Sequence, residues 1–146
     1  MVSKNQLVKE LKRNIQQSYA MELEHATPHE IFYSLGKTIK AIYNQDWQKT
    51  WKDYITEEQK QVYYFSIEFL PGKMLKSNLL NLGLLDVVRE ALADYAIDLE
   101  DVAAVEKDMA LGNGGLGRLA SCFMDSLASC GLPGNGNGIR YDYGLF

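Results

Sequence analysis

The sequence has no long hydrophobic run, no signal region and no excess of positive charge. No segment approaches the roughly 18 consecutive apolar residues of a transmembrane helix, so no membrane span is expected. Residues 1–5 lack the apolar stretch of a secretory signal. The formal net charge is -4, with acidic and basic residues interspersed, which argues against a nucleic-acid-binding surface. A cytoplasmic protein is therefore expected.

Cysteine and histidine are also scarce. Cys122 and Cys130 lie on one predicted helix, separated by a rise of about 12 Å that is too long for a disulfide. We expect both to be buried thiols in a reducing compartment. His25 and His29 do not show metal-ligand spacing with each other or with the cysteines, so no metal site is predicted.

The residues that are present favour a globular, mostly helical chain. Hydrophobic residues make up 47% of the 146 positions, which is ample for a core, and this length normally forms one domain. Apolar residues recur at helical spacing over most of the sequence. The predicted helices cover approximately residues 3–19, 28–46, 73–82, 84–95, 99–107 and 116–130.

Two of these helices have clear start signals. Ser3 and Gln6 are placed as a capping box. Thr27, Pro28 and Glu30 form a stronger signal, because a capping residue is followed by proline at the first helical position and glutamate at the third. Both segments should therefore begin helices at these positions, and Asp98 is a further candidate cap, for the helix predicted over residues 99–107.

Two tryptophans follow the second of these helices. Trp47 and Trp51 are spaced i and i+4, as on one face of a helix. We expect them to pack on a helix rather than to stack on a sugar.

The clearest strand signal covers Val62–Phe69, which is rich in aromatic and β-branched residues and is followed by Pro71-Gly72. Residues 132–143 predict a glycine-rich strand and turn. Glu68 lies near the carboxyl end of the first strand, where ligands gather in open α/β sheets. It is a candidate site residue, although a structural cap or ion pair explains it equally well. The expected fold class is α/β and predominantly helical.

The most informative segment runs from Gly112 to Leu119, with four glycines in six positions before a helical pattern. A glycine-rich turn that opens a helix presents free N–H groups and the positive end of the helix dipole, which suits a phosphate or another anion. The alternative is that the glycines only permit tight packing of the helix. The segment also fits G-x-G-x-x-G, but only Met109–Leu111 could form the preceding strand, and no acidic strand end follows.

Three segments together resemble the glycogen and starch phosphorylase family. They occur in the family's order and at its separations, over about residues 60–146. They are Asp108–Leu127 (DMALGNGGLGRLASCFMDSL), Tyr63–Lys73 (YYFSIEFLPGK), similar to the family's YYxSxEFxxGR, and Gly136–Phe146 (GNGIRYDYGLF), similar to GYGIRYEYGIF. Residues 1–59 are compatible with the family's variable helical start.

The resemblance implies an α-1,4-glucan phosphorylase, which uses inorganic phosphate to release glucose 1-phosphate from glycogen or maltodextrin. It implies the N-terminal part of the first Rossmann-like lobe in a two-lobed, GT-B type glycosyltransferase. Residues 1–60 would be an N-terminal helical segment, and residues 61–146 the start of that lobe. Members of the family are several times longer, so the expectation is a truncated enzyme, whether in the gene or in the expressed polypeptide.

The resemblance also assigns site residues. The backbone of Asn113, Gly114, Gly115 and Leu116 would contact the glucosyl unit and phosphate, in agreement with the helix-terminus argument. The family's cofactor is pyridoxal 5′-phosphate, held by a lysine far toward the C-terminus that has no counterpart here. No covalently bound cofactor and no catalytic residue are therefore expected in this chain alone.

Two positions would lie near the cofactor. Leu70 stands where many relatives carry a tyrosine near the cofactor, so a contact from Leu70 would be apolar, and Gly115 would also lie near the cofactor. Glu68 and Arg118 are further candidate site residues. Lys73 replaces the family's common arginine, and Gly134–Gly138 is less aromatic than in many relatives. These departures leave the preference between glycogen and maltodextrin open.

Two functions remain open at this point. The first is the N-terminal portion of a phosphorylase, inactive alone; the second is a stand-alone helical binding or interaction domain that has lost the chemistry. Unpaired edges of the Val62–Phe69 strand and the family's dimerisation predict a homodimer or a higher assembly. The family's allosteric regulation cannot be transferred, because Ser3 has only Lys4 as a basic neighbour and no nucleotide site can be placed in residues 40–60.

Overall fold

A computed structural model describes residues 3–144, apart from the side chain of Gln45. Leu145 and Phe146, which end the third family-like segment, lie outside the described residues. A short 3-10 helix spans Leu23–His25. The helices are α1 (Lys4–Tyr19), α2 (Pro28–Thr56), α3 (Leu75–Asn81), α4 (Leu85–Ala93), α5 (Leu99–Ala104) and α6 (Gly114–Ser129), and the strands are β1 (Val62–Phe65), β2 (Phe69–Gly72), β3 (Met109–Leu111) and β4 (Gly134–Asn137).

Contacts within the chain define two compact units. Unit 1 comprises residues 1–47 and 74–106, and unit 2 comprises residues 48–73 and 107–146. The division at residue 60 concerns the lobes of a larger enzyme and stays a prediction.

Unit 1 is helical, and its core follows the predicted stripes. Leu7, Leu11 and Ile15 of α1 are buried together with Leu35 of α2 and Val88 of α4. The caps form as the sequence predicts. The Ser3 hydroxyl accepts the Gln6 N–H, the Thr27 N–H donates to the Glu30 carboxylate at 2.7 Å, and Asp98 accepts the Glu100 N–H.

Helix α2 is longer than predicted, because it continues past residue 46 to Thr56. No glycine or proline interrupts residues 47–56, and Lys49 pairs with Asp53 one turn later at 2.7 Å. The chain leaves the helix near Glu58, whose φ is +48°. Trp47 and Trp51 are 67% and 64% exposed, so the prediction that they pack on a helix is wrong.

Unit 2 contains two two-stranded sheets. Strand β1 pairs with β4 in parallel, from Val62 opposite Gly134 to Phe65 opposite Asn137. Strand β2 pairs with β3 in antiparallel orientation, with Phe69 opposite Leu111. Strand β3 is the short Met109–Leu111 strand that the sequence allowed. The parallel pair and the predominance of helix confirm a mixed, mostly helical α/β class.

The single strand predicted over Val62–Phe69 is wrong, because two strands occupy this region and the second includes Pro71 and Gly72. Ser66 explains the break. Its hydroxyl accepts the Glu68 N–H at 3.1 Å and donates to the Glu68 carbonyl at 2.7 Å. These local bonds compete with strand pairing and turn the chain.

Helix α6 packs in unit 2 through its smallest residues. Gly117, Ala120 and Ser121 are buried, whereas Leu119 and Phe123 are partly exposed. Glycines on β4 allow the close approach, because a Cβ added at Gly134 would lie 2.6 Å from Cδ1 of Leu127. Gly134 and Gly136 therefore make room for Leu127 and Met124 of α6, whereas Gly138 makes room for Ser66 and Phe69.

The predicted burial of the two cysteines is wrong. Cys122 and Cys130 are free and exposed. The small residues of α6 face the strands of unit 2, which leaves Cys122 on the exposed side of the helix, and Cys130 is exposed at its C-terminal cap. Within residues 3–144, no helix is both long and apolar enough to span a bilayer.

Candidate anion site at the start of helix α6

The glycine-rich segment forms the first turn of α6. The helix begins at Gly114, and Asn113 precedes it in an extended conformation with φ -147° and no capping bond from its side chain. The residues of this turn are exposed, and Leu116 is 71% exposed. The first N–H groups of a helix have no intrahelical acceptor, so those of Gly114, Gly115 and Leu116 are available to a ligand. The helix dipole favours an anion there.

The structure requires glycine at some positions of this segment and not at others. Gly112 has φ +100°, and an added Cβ would overlap Cγ of Glu68. At Gly117 a Cβ would lie 2.8 Å from Cγ of Leu70. At Gly115 it would meet nothing within 4 Å, and φ is not positive. Neither packing nor backbone conformation requires glycine at Gly115, and its missing side chain leaves the backbone there open to close approach by a ligand.

Glu68 lies directly behind the turn. Glu68 is 8% exposed, and its Oε1 accepts the Asn113 N–H at 3.4 Å. The sequence left open whether Glu68 is a site residue or a structural one. The structure places it against the candidate site, with its carboxylate bonded to the residue immediately before α6.

Arg118 and Leu70 hold α6 against β2. A guanidinium nitrogen of Arg118 donates to the carbonyls of Leu70 and Pro71 at 3.3 and 3.4 Å. The half-buried Leu70 side chain fills the space beside Gly117. The polar groups that the turn itself presents to solvent are the neutral backbone amides, which can bind an anion but cannot act as an acid or a base.

The sequence-predicted site residues meet in unit 2, around the junction of β2, β3 and α6. Asn113, Gly114, Gly115 and Leu116 form the turn, and Glu68, Leu70 and Arg118 contact it or its helix. Their roles with substrate and cofactor stay predictions. Sequence reasoning missed Ser66, which fixes the backbone of Glu68; the signal was a serine two residues before the glutamate.

A second concave surface lies at the carboxyl ends of the parallel strands β1 and β4. This cavity of about 400 Å³ is lined by Phe65, Ser66, Ile67, Asn137, Gly138 and Ile139. The position is one that ligands favour in α/β sheets, but the lining is mainly apolar and carries no charged side chain. Among residues 3–144, no three His, Cys, Asp or Glu side chains are grouped to hold a metal ion.

The chain is similar to known carbohydrate phosphorylases. The sequence model of the carbohydrate phosphorylases matches residues 92–146. The chain is 50% identical to glycogen phosphorylase of Chlamydia trachomatis over 123 residues, which are 84% of this chain and 15% of that protein. It is 50% identical to glycogen phosphorylase of Bacillus subtilis over 115 residues, 79% of this chain and 14% of the relative. The brain form of human glycogen phosphorylase is 39% identical over 138 residues, 94% of this chain and 16% of that enzyme.

The chain thus spans about 15% of the length of the curated relatives that it matches, while the matches cover most of the chain itself. The exposed glycine turn falls within the residues matched by the family model. The chain is therefore similar to an N-terminal portion of the glycogen phosphorylases, and residues 92–146 match the model of the carbohydrate phosphorylase family.

Proposed function

We propose that this chain is the N-terminal portion of an α-1,4-glucan phosphorylase, which transfers a terminal glucosyl unit of glycogen or maltodextrin to inorganic phosphate. The observation that carries the proposal is the first turn of α6. It combines exposed amides at a helix N-terminus with Gly115, a glycine that packing does not require. Phosphate and a glucosyl phosphate are anions of the kind that such a turn binds.

The amides of Gly114, Gly115 and Leu116 have the role of fixed donors in this reaction. They bind the phosphate and the adjoining glucosyl unit, together with Asn113. Donors that are already oriented stabilise charge that develops as the glycosidic bond breaks, because they do not have to reorganise during the reaction.

The residues of this chain fit one wall of a pyridoxal 5′-phosphate site. Leu70 offers an apolar contact, and Gly115 leaves open space beside the turn. The lysine that binds the cofactor in the family has no counterpart here. When bound, the cofactor supplies a phosphate group that exchanges a proton with the substrate phosphate. The chain alone therefore lacks the group that holds the cofactor, and we expect it to be inactive by itself.

The same proposal implies a position in the fold of the whole enzyme, a cellular compartment and an oligomeric state. Unit 2, with its parallel β1–β4 pair, is the beginning of the first Rossmann-like lobe of a GT-B type enzyme. The protein acts in the cytoplasm, where its two free cysteines stay reduced. It self-associates as a homodimer or a higher assembly through apolar surface that unit 2 leaves exposed.

A chimera tests the function directly. Residues of this chain replace the matched 115-residue segment in glycogen phosphorylase of Bacillus subtilis, to which they are 50% identical. We expect release of glucose 1-phosphate from glycogen and phosphate by the chimera, and none by the 146-residue chain alone. The cofactor's absorbance reports whether the chimera has assembled.

Two results would contradict the proposal. A chimera that binds cofactor but does not release glucose 1-phosphate would favour the stand-alone binding domain, in which the chemistry has been lost. Turnover by the 146-residue chain alone would show that the site does not need residues from elsewhere.

A further inference from the structure

Glu68 is a buried carboxylate in a position that its own loop defines. It lies between β1 and β2 and is 8% exposed. The two hydrogen bonds with the Ser66 hydroxyl fix its backbone N–H and carbonyl. The side chain therefore leaves this loop in a constrained direction.

The aliphatic part of Glu68 occupies the space that two glycines leave. An added Cβ at Gly112 would overlap Cγ of Glu68 and would lie 2.7 Å from its Cδ. At Gly117 an added Cβ would lie 3.2 Å from Cβ of Glu68. The two glycines flank the exposed turn, one on each side, so Glu68 packs against both ends of the segment.

The carboxylate then reaches the backbone of the turn. Oε1 accepts the N–H of Asn113, the residue whose extended conformation leads into Gly114. The direction of the N–H groups of Gly114, Gly115 and Leu116 depends on the backbone conformation of Asn113.

We propose that Glu68 is a positioning residue for anion binding: through Asn113, Gly112 and Gly117 it sets the direction of the Gly114–Leu116 amides. The inference rests on the proposed function and deepens it by naming the residue that orients the phosphate-binding turn. Glu68 acts by shape and by accepting one N–H, so the amide of glutamine can replace its carboxylate. Its effect falls on phosphate and on the glucosyl unit that the same amides bind, and not on the remaining glucose units of the glucan chain.

The first experiment uses the 146-residue chain and inorganic phosphate alone. Backbone amide shifts of Gly114, Gly115 and Leu116 are followed by NMR during a phosphate titration, with chloride at equal ionic strength as the control. We expect weak, millimolar binding of phosphate to the parent, because each hydrogen bond to a backbone amide contributes little net free energy in water. Glu68→Ala should weaken it about threefold or more, and Glu68→Gln should leave it within about twofold of the parent.

The second experiment uses the chimera and separates positioning from stability. Glu68→Ala should raise KM for phosphate about tenfold, the effect expected for one misplaced hydrogen bond, while KM for glycogen changes less. Leu79→Ala, a core change in unit 1, is the control for general destabilisation. It should reduce the amount of active enzyme and leave both KM values unchanged.

The outcomes distinguish this inference from the proposed function. Failure of the parent chimera to turn over would contradict the function, and the NMR titration would still decide the role of Glu68. If Glu68→Ala does not fold, Glu68→Asp withdraws the carboxylate by one methylene and should give an intermediate loss. Equal phosphate binding in parent and Glu68→Ala, or equal losses in Glu68→Ala and Glu68→Gln, would overturn the inference.

Discussion

Unit 1 has a cluster of fully buried large apolar residues, whereas unit 2 leaves most of its large apolar residues exposed or half-buried. Every member of the buried hydrophobic cluster belongs to unit 1, from Leu7 of α1 to Ala103 of α5. In unit 2 the buried residues of α6 are small, and large side chains such as Phe65, 77% exposed, and Ile67 face solvent. Unit 1 is thus built for stability, and unit 2 carries both the candidate site and the surface available for association.

The largest expected effect of this difference is on stability. Leu11→Ala removes a fully buried side chain of unit 1, so the free energy of unfolding should fall by about 2–5 kcal/mol. Phe123→Ala in unit 2 removes a partly exposed ring and should cost less. Urea unfolding followed by circular dichroism measures both, and a larger loss for Phe123→Ala would remove the distinction between the units.

The next effect separates the glycines within unit 2. Gly112→Ala places a side chain at φ +100° and against Glu68, which should cost about 1–3 kcal/mol from backbone strain, with the overlap in addition. Gly115→Ala faces open space in a helix, where alanine is favoured over glycine by up to about 1 kcal/mol. Thermal unfolding should therefore give opposite shifts. A loss of stability with Gly115→Ala would show that packing does require this glycine.

Association should depend on unit 2. We expect the parent chain to form a dimer or higher assembly at tens of micromolar, and Phe65→Lys should weaken this about tenfold by placing a charge in the exposed apolar surface. Leu80→Lys is the matched change at a 65% exposed position in unit 1 and should have little effect. Light scattering that finds a monomeric parent, or equal effects of the two variants, would contradict this assignment.

A smaller effect concerns the start of α2 in unit 1. The N–H of Thr27, and secondarily its hydroxyl, lower the pKa of Glu30 below the ordinary value of 4.5. A lowered pKa means that the cap's contribution is present above the ordinary pKa and is lost as pH falls through the lowered one.

The melting temperature measures this contribution. Glu30→Ala should therefore lower it more at pH 7 than near pH 3, with the two proteins converging at the acid end. A difference independent of pH would show that the ionised carboxylate does not contribute to the cap.

The sequence predicts features that depend on local chemistry. The helix starts at Ser3, Thr27 and Asp98 are confirmed because a cap requires only residues within the same turn. The start of α6 at the glycine run follows from the same reasoning. The three family-like segments add the functional hypothesis, which local chemistry could not supply.

The features that the sequence could not predict depend on distant contacts. Glu106 accepts the N–H groups of Met74 and Leu75, a capping interaction across 31 or 32 residues that no local pattern reveals. The predicted burial of Cys122 and Cys130 is wrong for a similar reason, because contacts with β2, where Gly117 lies against Leu70 and Glu68, set the buried side of α6. The strand predicted over Val62–Phe69 is interrupted because the Ser66 hydroxyl bonds the backbone of Glu68, two residues later.

One measurement tests the central claim, that the exposed start of α6 binds the reacting phosphate. Gly115 and Gly36 are both helical glycines with open space around an added Cβ, so leucine at either position should be tolerated by the fold. In the chimera, Gly115→Leu should reduce release of glucose 1-phosphate about 100-fold, by excluding the ligand, without loss of cofactor absorbance. Gly36→Leu should leave the rate near the parent's. Equal rates for the two variants would contradict the account.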